Sequence, residues 1–263
     1  MNNCRIDLKH TKNTRTLSLL SNKEGKKIKP HLLLRSDALN EIDEMDLSIL
    51  KKEYQLKRVI DLRCDNEVLD KPDKLSSDIA LVLNPILPSK TVGMTKTGDA
   101  KRDLIDFIES LQRQGLESSE AFMEHIYEEV VTSEFSQKAY ATFLNLLLNP
   151  ISGSTLWHCS AGKDRAGFAT ILILSALDFS KEVIIEDYLL TNLFYQDTID
   201  KMKQLLGDHY EAVLKSAFGV KKEFIDTIYQ VIDTVYGGMD QYLCRLGIDQ
   251  VKKEELKRIY LMG

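Results

Sequence analysis

Cysteine is scarce in this chain of 263 residues: four occur, at positions 4, 64, 159 and 244, with no Cys-x-x-Cys and no paired spacing. Such a pattern argues against a disulfide framework and a zinc site, and a reducing compartment, the cytoplasm, fits it best. Long apolar runs are missing as well. No stretch approaches the roughly 20 apolar residues of a membrane span, and the opening Met-Asn-Asn-Cys-Arg-Ile-Asp has no signal-peptide core. Positive charge is not in excess, since 35 Lys and Arg stand against 40 Asp and Glu, a net charge of −5. A broad nucleic-acid footprint is therefore not expected. Internal repeats, low-complexity tracts and linkers are absent too.

What is present suits one enzyme domain over 1–263, with 43% hydrophobic residues to fill its core. Leu32 to Leu34, Lys57 to Leu62 and Ile79 to Leu83 read as strands, with an amphipathic helix near Asp43 to Glu53. Residues 88–118 contain Pro88, Gly93, Gly98 and Gly115 around a stripe of Leu104, Ile105, Ile108 and Leu111. That segment reads either as a flap over a site or as a surface loop and helix. Ala121 to Val131 and Phe135 to Leu148 read as helices. After a short strand at 154–157, helices are expected at 164–177, 181–193, 195–206, 208–217, 221–236 and 250–261. Strands first and helices last give an α/β class: a central mixed sheet flanked by helices, with a largely helical C-terminal half.

The chemistry is concentrated in His158-Cys159-Ser160-Ala161-Gly162-Lys163-Asp164-Arg165-Ala166-Gly167. A strand, a tight loop and a helix in that order converge several backbone N–H groups, and the positive end of the helix dipole, on one point. Such a nest binds an oxyanion. Thiols at helix N-termini beside cations are readily ionised and nucleophilic, which places Cys159 at the floor of a site for attack on phosphate. Arg165 can grip two phosphate oxygens with its planar fork. Charge spread over the equatorial oxygens is what phosphoryl transfer must stabilise. Gly162 permits the turn, Gly167 allows close packing against the strand, and His158 is expected to support the loop from behind. A nucleotide P-loop is excluded, because Trp157 stands where glycine is needed and Asp164 where Ser or Thr belongs.

His-Cys-Ser-Ala-Gly-Lys-Asp-Arg resembles the signature loop of the cysteine-dependent protein tyrosine phosphatases. It is most similar to the bacterial branch with His-Cys-x-Ala-Gly-Lys-Asp-Arg-Thr-Gly, which includes secreted tyrosine and phosphoinositide phosphatases of Listeria and Mycobacterium. Leu34 to Leu39, Val59 to Arg63 with Glu67 and Pro72-Asp73, Asp187 to Asn192, and Tyr236-Gly237 with Tyr242-Leu243 match the branch in order. The resemblance implies a cysteine-phosphatase fold and hydrolysis of phosphotyrosine or phosphoinositide monoesters through a phosphocysteine, with no metal or cofactor. It implies Cys159 as nucleophile, Arg165 and the loop residues Ser160, Ala161, Gly162, Lys163 and Ala166 around the phosphate, and a phosphorylated protein or phosphoinositide as partner. No Trp-Pro-Asp triplet exists to carry the general acid. Asp164 is the candidate, with Asp99, Asp103 and Asp106 in reserve and a structural role as its alternative.

Several positions stay open at this stage. Lys163 reads a second substrate phosphate or reaches solvent. The Lys23 to Lys29 run meets an anionic membrane or is a solvated loop. Asp61 and Arg63 brace the loop or touch substrate. Cys64 pairs with Cys159 under oxidation or is an inert thiol. The branch has Thr or Ser where this chain has Ala166, so the phosphocysteine is expected to break down slowly. A weakly active phosphate-binding module is the alternative function. The segment Asn13 to Leu19 likewise lacks the acid and two glycines of its relatives.

Overall fold

In the computed structural model, residues 4–88 and 119–263 are described. Apart from Pro88, the 88–118 segment read as a flap or surface loop, including Asp99, Asp103 and Asp106, lies outside them. The first half holds β1 (Arg15–Thr16), β2 (Leu33–Ser36), α1 (Glu44–Lys52), β3 (Leu56–Asp61), α2 (Asp65–Asp70), β4 (Ala80–Leu83), α3 (Ser119–Thr132), α4 (Glu134–Leu148) and β5 (Ser154–His158). Only helices follow: α5 (Arg165–Ala176), α6 (Lys181–Leu206), a 3-10 turn at Asp208–Tyr210, α7 (Glu211–Phe218), α8 (Lys222–Tyr236), α9 (Met239–Arg245) and α10 (Gln250–Tyr260).

The five strands form one mixed sheet in the order β1-β2-β5-β3-β4, with β1 antiparallel and the rest parallel. Register aligns the ends of the central strands, for His158 pairs with Ser36 of β2 and with Asp61 of β3. Three chains thus leave the sheet side by side at the C-terminal edge, where open α/β sheets bind ligands.

Alternation along the strands builds a core on each face. Leu33, Ile60 and Trp157 face the larger core with α3, α4, α5 and α8. Leu34, Val59 and Leu156 face a smaller one closed by Leu50 of α1. Eleven of the twelve residues of α5 are buried, as expected for a helix apolar all round. Phe143 meets Trp157 edge-on at 5.3 Å and Phe168 meets Tyr140 at 4.9 Å, so α4 clamps β5 and α5 together. Asp43 caps α1 by accepting from the Met45 and Asp46 amides.

The structure differs from the expected elements in three places. The helices foreseen at 181–193 and 195–206 are one helix, because nothing between Lys181 and Leu206 breaks it: no Gly or Pro occurs there. The helices α2 and α9 were not foreseen; at six and seven residues they are too short for a periodic signal. The strand β1 has only two residues and takes its definition from its partner β2.

Candidate active site

The loop Cys159–Asp164 joins β5 to α5, and the surrounding side chains determine which way its peptides face. Asn13 Nδ2 donates to the carbonyls of Ala161 (3.1 Å) and Gly162 (3.0 Å). Tyr195 Oη donates to Ala161 O (2.9 Å), Arg35 Nη2 to Gly162 O (2.7 Å), and the Ala38 amide to Ser160 O (3.2 Å). In a planar trans peptide the N–H points away from the carbonyl. Pulling the carbonyls of 160, 161 and 162 outward therefore turns the amides of Ala161, Gly162 and Lys163 inward. Among the described residues, no acceptor meets the N–H of any residue from Ser160 to Asp164. Buried amides are rarely left so, and the N-terminus of α5 adds its dipole to them.

Gly162 is required twice over. Its φ is +66°, and a Cβ there would lie 2.4 Å from Ser36 O and 2.6 Å from the Asp37 amide. The obstacle is thus the end of β2. Gly167 makes room for Tyr188 and Arg35, whose atoms would lie 3.3 and 3.4 Å from a Cβ. Its close neighbours are α6 and a β2 side chain, not the backbone of the strand before it.

Cys159 is 2% exposed. Arg165 points back across the loop toward Ser160 and Glu67. Its Nη1 and Nη2 donate to the two Glu67 oxygens at 2.6 and 2.9 Å, and Nη2 also reaches Ser160 Oγ at 3.3 Å. Arg165 Nε is buried without a partner among the described residues. Burial opposes the Glu67 charge, but Arg165, Ser160 and the Cys64 amide more than offset it and bring its pKa down to about 2. The Arg165 pKa rises in turn, because Glu67 outweighs the cost of burial. Glu67 was not singled out as a site residue. Two signals marked it in the chain: its place in the block that matches the phosphatase branch, and its spacing from Cys64, whose amide it accepts at 3.0 Å, which is that of a capping box.

A second layer of buried charge supports the loop. Asp187 of α6 accepts from Arg15 Nε (2.8 Å) and Arg35 Nη1 (2.7 Å). Burial and the neighbouring Arg15 lower the Arg35 pKa to about 10. Behind the strand ends, His158 Nε2 lies 2.8 Å from Asp73 Oδ2 and Nδ1 lies 3.2 Å from the Cys159 carbonyl. Arg63 donates to Asp61 (2.7 Å) and Asp73 (2.9 Å), so Asp61 and Arg63 form a buried ion pair. Asp61, Asp73 and His158 approach closely enough to hold a metal, but Arg63 is already paired with both carboxylates.

Two loop residues lie where the sequence could not put them. Lys163 is 1% exposed and does not reach solvent. Its Nζ donates to the carbonyls of Ser216 (3.3 Å), Ala217 (2.8 Å) and Gly219 (3.2 Å), at the C-terminal end of α7. Asp164 is buried and accepts a hydrogen bond from Tyr127 of α3. Ala166 is fully buried, its carbonyl taking bonds from Trp157 Nε1 (3.2 Å) and Thr170 Oγ1 (2.8 Å). Cys64 is 1% exposed and occupies the N-cap of α2. The Lys23 to Lys29 run sits near the other end of α5, where Lys23 N donates to Asp178 O. Twelve helical residues, about 18 Å, separate it from the loop, so the run does not border the site.

A mixed α/β sheet whose central strand turns through a tight loop into a buried helix is the architecture of cysteine-dependent phosphatases. The chain belongs to the tyrosine phosphatase family, whose model matches residues 6–262. It is 25% identical over 260 residues to the triple specificity protein phosphatase PtpB of Mycobacterium tuberculosis, covering 89% of this chain and 92% of that protein. It is 27% identical over 256 residues to a Cupriavidus necator protein named "Putative tyrosine-protein phosphatase", covering 95% of this chain and 86% of the other. The protein is thus a hydrolase of the protein-tyrosine-phosphatase type, acting on phosphorylated substrates. No helix among the described residues is long and apolar enough to cross a membrane.

Proposed function

We propose that the protein hydrolyses phosphomonoesters through a phosphocysteine on Cys159. The thiolate attacks phosphorus, an S–P bond forms, and the P–O bond to the leaving group breaks. The departing oxygen takes a proton from Asp164. Water then attacks the phosphocysteine, Asp164 accepts its proton, and inorganic phosphate leaves as the thiolate returns. The free amides of Ser160 to Asp164 and the Nε face of Arg165 stabilise the equatorial oxygens. Glu67 holds the other edge of the guanidinium, so the fork is pre-aimed and need not be ordered when substrate binds. His158, Asp61 and Arg63 act from behind, as supports of the loop.

One observation carries this reading: beside the buried thiol in the chain, the N–H groups of Ser160 to Asp164 and the buried Nε of Arg165 meet no acceptor among the described residues. Unpaired buried donors cost about 1–3 kcal/mol each, and an oxyanion satisfies all of them together. In the test, Cys159→Ser abolishes phosphate release from a phosphotyrosine peptide while phosphate still binds. Retained turnover in that variant would overturn the mechanism.

Substrate breadth is proposed to include phosphoinositide monoesters as well as phosphotyrosine, on the likeness to a relative named for triple specificity. Phosphate release from phosphoinositide vesicles, set against phosphotyrosine and phosphoserine peptides, measures it. No release from any lipid confines the enzyme to phosphoproteins. Ala166 favours a second reading in which the intermediate accumulates, since no hydroxyl stands at that position. Rapid release of about one equivalent of phenol followed by a stall, relieved in Ala166→Thr, is its signature. Steady linear release from the wild type excludes it.

A further inference from the structure

Asp164 occupies the N-cap of α5 without capping it. Aspartate in that position ordinarily has extended backbone and accepts from the second or third amide of the helix. Here the backbone is helical (φ −82°, ψ −71°) and the side chain makes no cap bond. The carboxylate is instead turned toward α3, where Tyr127 Oη donates to Oδ1. Tyr127 Oη also lies 2.5 Å from Tyr188 Oη of α6. A phenol has one proton. With the Tyr127 proton on the carboxylate, the Tyr188 hydroxyl must be the donor in the second contact, so the order is Tyr188 to Tyr127 to Asp164.

This relay is rigid and dry. Tyr127, Tyr188 and Asp164 are 1, 2 and 3% exposed, and the Tyr127 ring stacks on Phe224 of α8 with centroids 5.4 Å apart. Other groups also face Asp164. Lys163 Nζ is 3.9 Å from Oδ2, Arg165 is next in the chain, and Tyr140 of α4 and Tyr195 of α6 lie within electrostatic range. Of these side chains, Tyr127 alone donates a hydrogen bond to the carboxylate among the described residues. A donor to one oxygen fixes the carboxyl plane and leaves the other oxygen to exchange a proton with substrate.

We infer that Tyr127, oriented by Tyr188, is the positioning residue that aims Asp164 at the leaving group. The inference rests on the proposed role of Asp164 as acid and base. It asks three helices, α3, α6 and α8, to set the angle of one carboxylate in the loop.

Tyr127→Phe deletes one oxygen and keeps the ring on Phe224. With alkyl or weakly acidic phenyl phosphates, kcat is expected to fall about tenfold, the worth of one charge-assisted hydrogen bond, while p-nitrophenyl phosphate loses little. The alkaline limb of the rate–pH profile should move to higher pH, since the carboxylate has lost a donor. Tyr188→Phe should move it less, in the same direction. A merely structural role would lower stability without shifting the limb. In an Asp164→Asn background, Tyr127→Phe should have no further effect. If Asp164→Asn collapses turnover of poor leaving groups while Tyr127→Phe leaves limb and leaving-group dependence unchanged, the positioning role is wrong and the acid stands. If Asp164→Asn itself leaves them unchanged, the acid lies elsewhere and both ideas fail.

Discussion

Gly162 shows how much one residue controls. A side chain there meets the Ser36 carbonyl at 2.4 Å and needs a left-handed backbone at φ +66°, and neither constraint can relax without moving β2. Gly162→Ala is expected to cost at least about 2 kcal/mol, read as a lower urea midpoint with an unchanged slope. Phosphate affinity should fall as well, because the amides of Gly162 and Lys163 turn with the backbone. A variant of wild-type stability would show that the loop is slacker than its contacts imply. Glu67 illustrates the opposite case, an ordinary surface residue by type that is 6% exposed and pairs with Arg165. Its spacing from Cys64 was visible in the chain. The fold alone brings α2 against the loop 98 residues later.

Among the elements, the ends of β3 and β5 share a buried charge network whose pH dependence has a definite sign. Burial opposes the His158 charge, but Asp73 and Asp61 outweigh it and raise the pKa above the usual imidazole range. Asp73 is likewise held below its usual range, burial being overcome by His158 and Arg63. A raised histidine contributes stability in full below the unfolded value of about 6.5, and the contribution fades as pH rises through the folded value. A depressed aspartate contributes above about 3.9 and fades toward acid. The pair therefore stabilises most between these limits. Wild-type stability should decline as pH rises past about 6.5, and Asp73→Asn should flatten that decline. An equal slope in the variant would remove His158 from the network.

Over the whole molecule, the signature loop is tied into the helical half through Lys163. Its three donors are used on carbonyls at the end of α7, beneath which Ala161, Tyr195, Ile199, Leu214 and Phe218 form a small core of their own. A lysine so engaged cannot also meet a second phosphate without giving up those bonds. Lys163→Met should therefore speed amide exchange across residues 211–218 by about tenfold, the equivalent of one lost charge-assisted bond. Its KM for p-nitrophenyl phosphate should change little. A selective rise in KM for bisphosphorylated lipids, with exchange unaltered, would return Lys163 to substrate recognition.

The linear chain by itself determined the loop and the class of chemistry. Strand, tight turn and helix are local, and Cys159, Gly162 and Arg165 stand within seven residues of one another in the chain. The short apolar stretches at 32–34, 57–62, 79–83 and 154–157 foretold the strands of the sheet, because a strand's side chains are set by its own residue order. The partners of those residues were decided only in three dimensions. Asn13, Arg35 and Tyr195 turn the loop peptides, Glu67 aims Arg165, Tyr127 holds Asp164, and α7 takes up Lys163. Each of these contacts joins residues more than 30 positions apart, and no periodicity encodes them, since they exist only where the sheet and the packed helices exclude water.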